Sequence, residues 1–150
     1  MTHHVIAEMR RRTIWPNLTE DNHEITSDPD PLYNCIAWAA DDNSAKWWPR
    51  DDEEYFWPDE APMEETVDAF MAAFALRGYE PCDGPELEDG YLKVVIYAEG
   101  TEPGHMARQL ETGQWTSKLG ISEDIRHVLP EDVETKRYGQ VTQFMRRPRA

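Results

Sequence analysis

Hydrophobic and polar positions follow two different periods along this chain. From Cys35 to Ala40 every position is small or apolar, and Asp41-Asp42 closes the run. A stretch with no polar face predicts a short helix buried nearly all round. Val67, Phe70, Met71 and Phe74 then follow at i, i+3, i+4 and i+7. Pro62 with Glu64 and Glu65 makes a helix start and Gly78 a stop, so an amphipathic helix of about four turns is expected there. Beyond Gly84 the pattern turns to strands. Residues 91–98 (YLKVVIYA) predict a central strand, and a loop over 100–104 leads to a second strand from His105 to Leu110. Glu111 to Gln114 turns the chain into a third strand at 115–120. Ser122 opens an expected short helix to about Leu129, and Tyr138 to Met145 reads as the last strand.

Other segments fit neither period. Residues 1–32 carry a basic cluster, Arg10-Arg11-Arg12, then Ile14-Trp15-Pro16, and end in Ser27-Asp28-Pro29-Asp30-Pro31. They predict an anchoring or loop-like segment. Trp47, Trp48, Tyr55, Phe56 and Trp57 crowd a short stretch punctuated by Pro49 and Pro58. This stretch either packs over the core or forms one wall of a substrate cleft. No internal repeat is visible. Helices first and an antiparallel meander afterwards imply an α+β class, in a single domain over residues 1–150 with its core at about 33–147.

Charge narrows the partners. Thirty acidic residues against 15 basic give a net charge of −15, which argues against nucleic acid and against docking on anionic membranes. Basic or polar partners suit it better. No apolar run is long enough to span a bilayer, and none follows Met1 to make a signal peptide. Two cysteines without paired spacing suggest reduced thiols and a cytoplasmic setting, in which the sequon Asn17-Leu18-Thr19 carries no meaning. No phosphate loop, HExxH or GxSxG string occurs, and no cofactor is expected. Cys35, His105 and a carboxylate lack paired ligand spacing, so no metal is expected either.

Cys35 is the first candidate for chemistry. In the first turn of its helix, unpaired N–H groups and the helix dipole would favour a thiolate. The alternative is an inert core thiol. Cys82 lies in the turn-rich stretch 79–85 with no helix end to activate it. His105 follows Pro103-Gly104 at the start of a strand, where an imidazole could reach a helix N-terminus as base and then acid. His3 and His4 are terminal, His23 falls in a loop and His127 on the short helix.

The strings YNCIAWAA and HMARQLETGQWTSKLG resemble the papain-like superfamily, in particular its small NlpC-like members. In those proteins a cysteine opens a buried helix and a histidine begins a strand of an antiparallel sheet. YNCIAWA, GYEPC and WTSKLG together resemble more closely a bacterial domain family of uncharacterised function, over about 33–147. The papain-like resemblance implies a buried N-terminal helix bearing Cys35, packed on a C-terminal antiparallel sheet. It makes Cys35 the nucleophile and His105 the general base. The Cys35 N–H and Asn34 would serve the oxyanion, and Trp38, Trp47 and Trp48 the substrate side.

The third, orienting residue departs from that pattern. A hairpin pairing Leu110 with Trp115 puts Thr116 and Lys118 on the face of His105, which leaves Lys118 in the third position. Ser117 reaches that face only if the register slips by one, and Glu123 or Asp124 could replace the missing acid. The expected activity is that of a cysteine hydrolase or acyltransferase on an amide, isopeptide or thioester bond of a peptide or small molecule. The rival is a non-enzymatic, immunity-like acidic protein that binds a basic partner. The two part on one observation: catalysis needs Cys35 and His105 within about 4 Å in an open cleft.

Overall fold

The structure is a computed structural model, and residues 13–119 and 122–149 are described. Among the described residues nine strands and two α-helices follow in the order β1 (His23–Ile25), α1 (Cys35–Ala39), β2 (Lys46–Trp47), β3 (Tyr55–Phe56), α2 (Val67–Ala75), β4 (Glu80–Cys82), β5 (Tyr91–Glu99), β6 (Glu102–Gln109), β7 (Trp115–Lys118), β8 (Asp124–His127) and β9 (Gln140–Pro148), with a 3-10 turn over Pro130–Val133 between the last two. Seven of the strands form one sheet in the order β1-β8-β7-β6-β5-β9-β4, and every pairing in it is antiparallel. β2 and β3 form a separate two-residue parallel pair.

This mostly antiparallel sheet overturns the expected α+β, papain-like or NlpC-like architecture with its buried N-terminal helix. The reason is local. Asn34 caps α1 by accepting the Ala37 N–H. Asp41, two residues past the end of the helix at Ala39, takes a left-handed φ of 62°. The Asp41 N–H bonds Trp38 O and the Asp42 N–H bonds Ala37 O, a Schellman closure built on aspartate instead of glycine. Only five residues fit between cap and stop. α1 is a short insert against β6 and β7. It is also preceded by β1, an edge strand of the same sheet.

Both faces of the sheet are covered. On one face α1, α2 and the aromatic segment pack Ile36, Trp47, Phe70 and Phe74 onto Val94, Ile96, Met106 and Met145. The other face packs Trp15 and Leu18 against Val95, Tyr97, Ala107, Trp115 and Ile125. Val94 to Ala98 is therefore buried on every residue, which is why β5 reads as a continuous apolar run and not as alternation. Trp15 and Leu18 bring part of the supposed anchoring segment into this second core.

Three expected elements shift. The α2 helix starts at Val67, not near Pro62, because the Thr66 side chain caps it by accepting the Ala69 N–H, while Pro62 O accepts the Trp57 indole N–H. Cys82 ends strand β4, paired with Phe144, where a loop was expected. The expected helix at 122–129 is strand β8. Ile125 and His127 turn to one face of it and Asp124 and Arg126 to the other, a period of two.

Candidate functional site

Cys35 and His105 sit on opposite faces of the sheet. Cys35 belongs to the core under α1 together with Met106. His105 precedes Met106 on β6 and packs among Tyr97, Tyr138 and Ser117 in the other core. Neighbouring strand residues point to opposite faces, so the pleat itself separates the thiol from the imidazole. Burial pushes the Cys35 thiol up to about 11, and backbone hydrogen bonds at Met106, Cys35 and Ile36 offset this only in part. At neutral pH the thiol is therefore protonated.

The hairpin register explains the rest. Gln109, not Leu110, pairs with Trp115, and Arg108 pairs with Thr116. That one-residue difference places Ser117 on the face of His105 and sends Thr116 and Lys118 to the face of α1. Lys118 therefore does not stand third beside His105. It is fully buried, with its ammonium 4.5 Å from the centre of the Tyr33 ring, and it donates to Ser122 O. Tyr33 donates to Asp124 Oδ2 at 2.6 Å, and burial with that carboxylate pushes its hydroxyl up to about 12. Burial lowers the Lys118 ammonium, while Asp124, Asp30 and Glu123 pull it back up.

Around His105 the sequence reading missed a polar chain. His105 Nε2 lies 3.0 Å from Ser117 Oγ, Ser117 Oγ lies 2.8 Å from His127 Nε2, and His127 Nδ1 lies 2.8 Å from Leu129 O. A carbonyl only accepts, so His127 carries its proton on Nδ1 and its Nε2 is an acceptor. Ser117 then donates to His127 and accepts from the Nε2–H of His105. The Nδ1 of His105 is left as a buried lone pair without a partner. All three side chains have 0% exposure. Burial, with repulsion from His127, holds His105 well below the usual imidazole range, and burial takes His127 down to about 4. The arrangement orders protons in a neutral network closed to substrate.

The other expected site residues divide. Asn34 is committed to structure: its Oδ1 accepts from Ala37 and Trp47, and one N–H of its Nδ2 donates to Trp47 O, which leaves its second N–H at the border of the cleft that Cys35 also lines. Trp38 donates to Thr116 Oγ1 and lies under the Arg108 guanidinium. Trp47 is wholly buried and donates to Asp42. Trp48 does line an opening. With Cys35 it borders a cleft of about 640 Å³, whose other walls include Trp15, Tyr55, Tyr138, Lys46 and Arg137. Among the described residues no group of three or more His, Cys, Asp or Glu side chains is placed to hold a metal ion.

A family model covers residues 24–146, from β1 into β9. The chain belongs to the DUF7689 family, a domain of unknown function. Comparisons of this DUF7689 chain with curated proteins and with solved structures return no match. The matched span of the DUF7689 domain takes in Cys35, His105, Ser117 and His127 alike. Alternation over Ser117-Lys118 and Ile125-His127 was the one sequence signal that could have joined the last three. It was masked by the helix-like opening at Ser122.

Proposed function

We propose that this protein is a non-enzymatic interaction module that binds a basic polypeptide through the surface formed by residues 51–68 and the groove beside it. The acids at 51–54, Asp59, Glu60, Glu64, Glu65 and Asp68 are all exposed, and among the described residues the cations paired with them are Lys46, on Glu54 at 2.7 Å, and Arg50, on Asp52 at 3.9 Å. Apolar groups are set among these charges: Phe56 is 44% and Met63 49% exposed. Next to Phe56 a groove of about 590 Å³ is lined by Pro31, Leu32, Glu53, Glu54 and Tyr55, and Leu32 is 65% exposed. Carboxylates flanking exposed apolar side chains complement a partner segment that alternates cationic and apolar residues. This juxtaposition carries the proposal. The thiol hydrolase alternative lacks its base, because the pleat of β6 keeps His105 away from Cys35 and burial keeps the thiol neutral.

The test is calorimetric titration of the full chain with an amphipathic Lys/Leu peptide and with its Gln/Leu counterpart. The Lys peptide should bind, and its affinity should fall with added salt. Joint Glu53→Lys and Glu54→Lys substitution should weaken it by about tenfold or more, and Phe56→Ser by several-fold, consistent with rim charges and one exposed anchor. Equal binding of the two peptides, or indifference to all three substitutions, would overturn the proposal.

A further inference from the structure

The cleft at Cys35 is built with the opposite electrostatic sign from the surface beside it. One residue in five of this chain is acidic, 30 of 150, yet among the described residues no Asp or Glu lines this cleft. Two cations do, Lys46 and Arg137. Lys46 is neutralised by Glu54 at 2.7 Å. Arg137 is exposed and, among the described residues, has no ion-pair or hydrogen-bond partner. Among the described residues that line the cleft, Arg137 is the cation without a counter-charge.

The walls are aromatic. Trp15, Trp48, Tyr55 and Tyr138 all border the space, and its volume of about 640 Å³ is that of a small-molecule pocket. Trp15 is 8% exposed, and its indole N–H is buried without an acceptor. The floor is fixed by close packing. A Cβ at Gly104 would stand 2.4 Å from Arg137 O and 2.7 Å from Tyr138 O, so only glycine lets β6 approach the turn that presents Arg137.

We infer that this cleft binds a small aromatic carboxylate, its ring among Trp15, Trp48, Tyr55 and Tyr138 and its carboxylate on the Arg137 guanidinium. A planar fork pairs with a carboxylate in a bidentate fashion, and indole and phenol faces stack on a flat ring. The Cys35 thiol borders this site as a neutral group and does not repel the anion. The site goes beyond the proposed polypeptide surface, with which it shares only Lys46 and Tyr55.

The probes are indole-3-acetate and 4-hydroxyphenylacetate, with tryptamine (the indole ring with a cation) and acetate (the anion without a ring) as controls. Binding to the full chain is read by saturation-transfer NMR and calorimetry. At least one aromatic carboxylate should bind, and tryptamine and acetate should not. Arg137→Gln should weaken that binding by about tenfold or more, and Trp48→Ala by a similar factor. Lys136→Gln, a neighbouring exposed cation outside the cleft, should leave it unchanged. Thermal melting of each variant reports that the fold is intact. Failure of both carboxylates to bind at millimolar concentration, equal binding of tryptamine, or wild-type affinity in Arg137→Gln would each overturn the inference. None of these outcomes bears on the Lys/Leu peptide experiment, so the two proposals can fail separately.

Discussion

Acid should destabilise this protein through His127, and by an amount the structure sets. In the folded chain burial holds the His127 imidazole at about 4 against an ordinary 6.5, and the Leu129 carbonyl offsets this only partly. Between those two values the unfolded chain binds a proton that the folded chain refuses. Stability from this group is therefore whole above the unfolded value and is lost as pH falls toward the folded one. Moving from about pH 7 to about pH 5 should remove about 2 kcal/mol on account of His127 alone. His23, opposite His127 on β1, adds to the depression when charged. Many carboxylates titrate lower in the same range, so the comparison must be with a variant that lacks this imidazole. Urea unfolding of wild type and His127→Gln at both pH values isolates the effect as the difference in pH dependence, whatever the variant costs at baseline. The wild type should lose about 2 kcal/mol more than the variant over that interval. NMR of the wild-type imidazole C–H gives a second readout: His127 should show no titration above about pH 5. Equal losses in the two proteins, or a His127 titration near 6.5, would refute the tautomer chain from His105 to Leu129.

Other consequences follow from single contacts. Alkylation with iodoacetamide should modify the half-buried Cys82 well before Cys35, and His105→Ala should leave the pH profile of Cys35 unchanged, as read by peptide mass spectrometry; a Cys35 reacting below the free-thiol pKa of about 8.5 would contradict its placement. Gly139→Ala should destabilise by about 2 kcal/mol or more in denaturant unfolding, since φ is 87° there and a Cβ would meet the Ala98 carbonyl carbon at 2.3 Å. Lys93 is 1% exposed and its ammonium reaches Gly84 O at 2.8 Å, Glu86 O at 2.6 Å and the Glu88 carboxylate at 2.7 Å. Lys93→Ala should cost about 3 kcal/mol and open the 84–88 loop to limited proteolysis.

What could be read from the sequence was the strength of each local pattern, and what could not was how strands meet. Residues 91–98 announced β5 because Val94, Val95, Ile96 and Tyr97 put four β-forming residues in a row, with Tyr91 and Leu92 before them. The apolar face of α2 was equally plain, although its first residue depended on whether Thr66 or Pro62 did the capping. β8 was hidden because Ser122-Glu123-Asp124 imitates a helix start. The side chain that makes it a strand, His127, is buried only after Ser117 has been placed to receive it. β1 was hidden for a similar reason: three residues, His23 to Ile25, gain strand character only by pairing with β8.

The candidate chemistry turned on a quantity that local pattern does not encode. Whether Leu110 or Gln109 pairs with Trp115 changes no propensity and moves no hydrophobic residue along the chain. It nevertheless exchanges Lys118 for Ser117 beside His105. A strand assigns chemistry by parity, so an error of one residue replaces a cationic neighbour with a hydroxyl. The same parity separates His105 from Met106, and with it from Cys35, whatever the loops at either end do. A Cys-His pair mounted on this sheet would need its histidine at 106 or its cysteine under the opposite face. The molecule instead spends His105 and His127 on an internal hydrogen-bonded chain and leaves Cys35 as a neutral wall. Its exposed chemistry is electrostatic: a carboxylate-rich surface over 51–68 beside a cleft that no carboxylate lines among the described residues.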